Sequence, residues 1–233
     1  MQAVAKKFPK THFTIVDVSQ GDLAGKPKNV VGLLFKEQEV GYLAGYLAGL
    51  EAKRLPGPDI VSSVGGEKQP PVDRFIAGYQ AGAAKADPGI KTVNSYSQDF
   101  TDQTKCKELA LNQIAAGSVA VFQVAGNCGL GVLDAAKEKG VWAIGVDADQ
   151  AYLGPEVLTS ATKGVDNAVF DTIKAVKDGT FKGGRDDVFG LNREGVGLGK
   201  ISPKVPKSEV DAVDKIRAQL VAGKIAVPTT VSG

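Results

Sequence analysis

One histidine and two cysteines in 233 residues leave almost nothing from which to build a metal site. A zinc-type centre needs three or four such ligands, and His12, Cys106 and Cys128 are all the chain offers, so neither a metal nor a cofactor is expected. Neither sign of charge dominates. The 28 basic and 26 acidic residues give a net charge of +2 and are scattered along the chain, so no strong field exists to gather nucleic acid or anionic lipid. No uninterrupted apolar run approaches the ~20 residues a membrane-spanning helix requires, and the longest candidates are broken by Gly, Lys or Pro. The opening MQAVAKKFPKTHF turns polar too soon for a secretory signal. Catalytic motifs are missing as well. There is no GxxxxGK[ST] and no GxSxG, and Gly129-x-Gly131 is followed by Asp134 where a dinucleotide fingerprint wants Gly or Ala. An enzyme is not expected, and no internal repeat or low-complexity segment suggests an array.

What is present reads as an ordinary globular chain, 43% apolar and 23% charged. Short β-rich runs alternate with helical stretches: FTIVDV, VVGLLF, GYLAGYLAGLEAK, DIVSSVGG, RFIAGYQAGAAKA, IKTVNSYS, KCKELALNQIAAG, VAVFQVAG, LGVLDAAKEKG and VWAIGVD. That order predicts right-handed βαβ units and a mostly parallel sheet with helices on both faces, hence the α/β class. VAVFQVAG and WAIGVD are apolar almost throughout, as strands covered on both faces should be. Gly140 suits a left-handed C-cap, and Asp102 or Thr101 an N-cap for the helix carrying Cys106. After Asp149 the pattern predicts a strand at VLTSATK, a helix at VDNAVFDTIKAVKDG, a Gly-rich strand or hairpin over DDVFGLNREGVGLGKI and a final amphipathic helix at KSEVDAVDKIRAQLVAGKI. Residues 41–159 make one compact lobe. Residues 1–40 and 160–233 make a second lobe if the chain crosses back and forth.

Several polar residues sit where strands end, which is where open α/β sheets bind ligands. Asp17 follows FTIV, and Asp147 and Asp149 follow WAIGV. A carboxylate there either accepts two hydrogen bonds from sugar hydroxyls or a base N–H, or simply caps its loop. Lys163, at the end of VLTSATK, either neutralises such a carboxylate and donates to the same hydroxyl or is a solvated surface charge. Phe100, an aromatic in the polar turn SQDFTD, either stacks on a flat ligand or plugs the core. In GNCGLG, Gly126 allows a backbone to approach a ligand closely. Cys106 and Cys128 are either a disulfide of an exported protein or two buried thiols.

Read together, KFPKTHFTIVD, VVGLLFKEQEVGYLAGYLAG, VGG before RFIAGYQAGAAKADPGIK, YSQDFTD, VFQVAGNCGLGVLDAAKEKGVWAIGVDADQ and VLTSATKGVDNAVFD resemble the basic membrane protein family of lipoproteins. The resemblance runs over nearly the whole chain, and its most specific parts are GYLAGYLAG and IGVDADQ followed by VLTS and a lysine. It implies a type I periplasmic-binding-protein fold with two doubly wound parallel-sheet lobes, closing on a purine nucleoside for the permease of an ABC importer. It makes Asp17 a base-recognising carboxylate, Phe100 one of two aromatic walls, Gly126 a close-approach backbone position, and Asp147 and Lys163 the holders of the ribose hydroxyls. Asp149 and Gln150 match the pattern and are assigned to loop structure. The resemblance further implies an extracytoplasmic, membrane-anchored lipoprotein that is a monomer when complete. The family's export signal, lipidated cysteine, first strand and helix, and second aromatic wall do not precede Met1. The first lobe is therefore expected to be incomplete at its N-terminus.

Two other functional classes remain open on the sequence. A non-transport relative, an adhesin or regulator, would keep the fold and lose the ligand. An enzyme of nucleoside metabolism would release free base from inosine.

Overall fold

The computed structural model describes residues 1–232 and divides into two compact units. The smaller contains Met1–Lys36 and Gly164–Val196, the larger Glu37–Lys163 and Gly197–Gly233. Each has its own sheet.

In the smaller unit a short helix α1 (Gln2–Lys7) precedes β1 (Phe13–Val16) and β2 (Val30–Phe35), and the chain returns later with α6 (Val165–Lys177) and β8 (Arg185–Phe189). The three strands are parallel in the order β1-β2-β8. VVGLLF of β2 is the buried central strand, whereas all four residues of β1 are only half-buried. Asn29 ties α1 down, its amide donating to the carbonyls of Ala5, Phe8 and Thr11.

The larger unit opens with α2 (Glu37–Arg54), followed by β3 (Ile60–Gly65), α3 (Pro70–Ala86), β4 (Lys91–Tyr96), α4 (Gln103–Ala115) and β5 (Ala120–Val124). Then come α5 (Leu130–Lys139), β6 (Trp142–Asp147), β7 (Val157–Lys163), β9 (Val196–Leu198) and α7 (Lys207–Val221). The sheet order is β4-β3-β5-β6-β7-β9, and β3 to β7 are parallel. Every residue of β5 is buried, and so is every residue of β6 except Asp147, which explains their apolar runs. Two helical pairs, α2 with α3 and α4 with α5, cover the sheet. The β3–α3–β4 crossover runs one way along the sheet and the β4–α4–β5 and β5–α5–β6 crossovers the other, which requires the two pairs on opposite faces.

GYLAGYLAG has a packing explanation. A Cβ on Gly41 or Gly45 of α2 would run into the carbonyl oxygens of Phe75 or Tyr79 of α3, and one on Gly78 or Gly82 would meet those of Gln38 or Tyr42 in return. The two helices therefore touch backbone to backbone. The expected caps form: Asp102 Oδ1 accepts from the amides of Thr104 and Lys105, and Gly140 is left-handed at φ 67°.

Two expectations need correction. DDVFGLNREGVGLGKI is not a hairpin, because β8 and β9 belong to different sheets. β9 runs against β7, with Gly199 N–H donating to Ser160 O and Ser202 N–H to Leu158 O. For the same reason residues 197–232 do not join the smaller unit as the 160–233 grouping expected. Pairing of β9 with β7 and packing of α7 on α2 hold them in the larger one. Among the described residues, no helix is long and apolar enough to cross a membrane.

Candidate functional site

In the larger unit β3 lies between β4 and β5, so the chain winds away from it in both directions. The connections leaving the carboxyl ends of β3 and β5 diverge there, which is where open α/β sheets form their ligand crevice. Gly66 follows β3, the turn at residues 97–101 follows β4, and Gly126 follows β5. Asp147 and Lys163 are the last residues of β6 and β7. Four of the predicted site residues thus belong to one edge of one sheet.

Phe100 is held at that crevice by its own turn. Gln98, left-handed at φ 54°, donates its N–H to Gly66 O at 3.0 Å, and Ser97 Oγ donates to Asp99 O at 2.7 Å. The Asp99 carboxylate accepts from Thr101 N–H, Thr101 Oγ1, Asp102 N–H and Lys105 Nζ. These donors, the Thr101 amide foremost, hold it far below the usual carboxylate range. The Phe100 ring lies over Gly66, where a Cβ would collide with it. Its carbonyl accepts from Cys128 N–H at 2.9 Å, and a Cβ on Gly126, left-handed at φ 56°, would stand 3.4 Å from that carbonyl oxygen. Phe100 and Gly126 are therefore brought together at the switch point. Cys106, in the first turn of α4, and Cys128, just before α5, form a disulfide with a Cα–Cα distance of 5.6 Å, which ties the start of α4 to the segment before α5.

Asp147 and Lys163 stand on neighbouring strands. The ladder sets Asp147 opposite Thr162, one residue short of Lys163. Asp147 is exposed and left-handed at φ 64°, a conformation that Asp tolerates better than most residues. Its turn is pinned from below. Gln150 Oε1 accepts from Val146 N–H at 3.1 Å and Gln123 Nε2 at 2.8 Å, and Gln150 N–H donates to Ser160 Oγ at 2.9 Å. Asp149 accepts from the amides of Ala151 and Lys200, so both it and Gln150 support the loop. The Lys163 side chain is only 5% exposed, and its Nζ lies 3.1 Å from Oε1 of the fully buried Glu37. The other oxygen of Glu37 accepts from Arg74 Nε at 2.7 Å.

Asp17 belongs to the smaller unit. It follows β1 with φ 66°, and its N–H donates to Leu33 O. Asp186 of β8 shapes the segment after it, accepting from Ser19 Oγ and Gln20 N–H, both at 2.6 Å.

Sequence reasoning passed over Glu37, Arg74, Gln123 and Asp186. Glu37 carries only the signal of an acidic residue in a helix's first turn, which every helix favours. Gln123 carries a stronger signal, a lone amide inside the apolar run VAVFQVAG that must find a partner.

The family described as ABC transporter substrate-binding protein, PnrA-like, matches residues 1–230. The CD4+ T-cell-stimulating antigen of Listeria monocytogenes is 34% identical over 98% of this chain and 66% of its own length. The ABC transporter nucleoside-binding protein BmpA of Lactococcus lactis is 36% identical over 97% of this chain and 67% of its own. The chain therefore spans about two thirds of the length of these relatives. An ABC transporter solute-binding protein of Aeropyrum pernix K1 superposes with a TM-score of 0.86 at 24% identity, over 99% of this chain and 74% of that one.

Proposed function

Because the chain belongs to the PnrA-like family of ABC transporter substrate-binding proteins, we propose that it binds a nucleoside, a purine nucleoside first, and hands it to an ABC permease outside the cytoplasm. The supporting observation is the arrangement along one sheet edge: a ring braced on Gly66 at the switch point, then the Asp147 carboxylate and Lys163 amine at the ends of β6 and β7. Strands are spaced about 4.8 Å apart, so the row from β3 to β7 is about 14 Å long. That is room for a flat base followed by a sugar. Phe100 stacks on the base, and the backbone at Gly126 comes close to it. Asp147 accepts from two ribose hydroxyls, and Lys163 donates to one of them. The relatives are named as binding proteins and antigens rather than enzymes, and the site as proposed has no part for cleaving a glycosidic bond. When complete, the protein acts as a monomer.

The test is calorimetry on the chain with guanosine, inosine, uridine, guanine and ribose. The purine nucleosides should bind more tightly than uridine, and far more tightly than ribose or free base. Asp147→Ala removes two charge-assisted hydrogen bonds and should weaken guanosine by at least about 30-fold. An unchanged affinity in that variant removes Asp147 from the site. Failure of every nucleoside to bind would overturn the reading and favour a relative that keeps the fold without its ligand.

A further inference from the structure

We propose that Gln123 is a positioning residue, whose buried carboxamide sets the Gly126 turn and the Asp147 turn against each other; this rests on the nucleoside reading above. Gln123 is 1% exposed near the end of β5. A carboxamide buried in an apolar run is costly unless its oxygen and nitrogen find partners. Its Oε1 accepts from Ala125 N–H at 3.2 Å, one residue before Gly126. Its Nε2 donates at 2.8 Å to Gln150 Oε1, which also accepts at 3.1 Å from Val146 N–H, one residue before Asp147. One chain of hydrogen bonds thus runs from the backbone of one turn to that of the other.

The polarity of that chain is fixed at both ends. A backbone N–H can only donate, so Ala125 demands the oxygen of Gln123 and Val146 the oxygen of Gln150. What remains between the two carboxamides is then nitrogen to oxygen, a matched pair. Space is provided as well. A Cβ on Gly129 would strike Gln123 Oε1, and one on Gly145 would strike Gln150 Oε1 and Ser160 Oγ. Gly129 of GNCGLG and Gly145 of IGVD therefore leave room for the side chains that brace the turns. The bridge also stands where ladder bonds run out, because the pairing of β5 with β6 ends at Phe122 with Ile144. Beyond that pair both backbones turn left-handed, Gly126 at φ 56° and Asp147 at φ 64°. Gln123, enclosed as it is, touches no ligand in this scheme and acts only through the backbone of the two turns.

The experiment compares the wild type with Gln123→Met, Gln150→Met and the double variant, by calorimetry with guanosine and by hydrogen exchange of assigned backbone amides. Methionine keeps the length of the side chain and removes both hydrogen-bonding groups. Each single variant should weaken guanosine by roughly 10-fold, as expected when backbone groups beneath the site lose their partners. The double variant should lose no more than the worse single one, because both substitutions cut the same chain. In unliganded Gln123→Met the Val146 amide should exchange faster along with that of Ala125, although Gln123 makes no bond to Val146. The amides of Phe122 and Ile144, which lie in the ladder, should keep their wild-type rates. Guanosine affinity unchanged from a wild type that binds, losses that multiply in the double variant, an unchanged Val146 amide or equal acceleration at all four amides overturns the proposal. The thermal midpoint of each variant shows whether it folds. If Gln123→Met does not, Gln150→Met, on a partly exposed turn, is read at Ala125: faster exchange there upholds the proposal and an unchanged rate overturns it. Faster exchange at Ala125 and Val146 in a protein that binds no nucleoside upholds the bridge and overturns only the nucleoside reading.

Discussion

Asp17 and Asp147 both leave a strand in the left-handed region, at φ 66° and 64°, where a side chain normally costs about 1 kcal/mol or more relative to glycine. Asp147 is exposed, so its carboxylate does not repay that cost by filling a core. A residue held against its backbone preference gives a clear mutational signature. Asp147→Gly should exceed Asp147→Ala in stability by about 1 kcal/mol in urea unfolding, and both should abolish guanosine binding. Asp147→Ala keeps the unfavourable conformation and should lose binding without the gain. A glycine variant no more stable than the alanine variant would mean that the backbone at position 147 carries no such cost. From the sequence, strand-end position marked both aspartates, since an acidic residue after an apolar run is visible by eye. Their left-handed backbone was not visible, because it depends on how Gln150, Gln123 and Ser160 bond the turn beyond Asp147.

At the scale of elements, α7 is fastened to α2 through carboxylates. Glu51, fully buried, accepts from Trp142 Nε1 at 2.7 Å and from Arg54, and Glu209 of α7 adds a second carboxyl to the same cluster. Burial first, then the hydrogen bond and repulsion from Glu51, push the Glu209 carboxyl up to about 7, with Arg54 opposing. A carboxyl raised above its unfolded value of about 4.3 binds more protons in the folded chain. Its contribution is complete below that value and is lost as pH rises through 7. Docking of α7 should therefore weaken between about pH 4.5 and 7.5. Trp142, the chain's one tryptophan, reports it. Its fluorescence should titrate with a midpoint near 7, and the step should vanish in Glu209→Gln, which keeps a neutral hydrogen-bonding group. A titration that persists in that variant assigns the proton elsewhere. The helix itself was legible from its 3.6-residue period over residues 207–221, whereas its partner was not. Nothing local in KSEVDAVDK says that Glu209 meets a carboxylate more than 150 positions earlier.

For the whole molecule, strand and helix alternation was legible because apolar runs and amphipathic periods are local properties, and so the α/β class followed directly. Membership of the two units was less so. β9 is three residues long, and its pairing with β7 is a nonlocal choice that carries residues 197–232 into the larger unit. The two units also differ in how well they are buried. The larger rests on β5 and β6, closed on both faces, with α2 and α3 in backbone contact. In the smaller, β1 is half-exposed throughout and α6 buries only Ala168, leaving Phe170 and Ile173 66% and 63% exposed. Local opening is easiest where few apolar contacts protect the hydrogen bonds. Amides of β1 and β8 should therefore exchange with deuterium well before those of β5 and β6. In urea, far-UV circular dichroism should fall in two steps, while Trp142, which lies in the larger unit, should follow only the later one. Coincident transitions by both probes would show that the smaller sheet draws its stability from the larger unit and unfolds with it as one cooperative body.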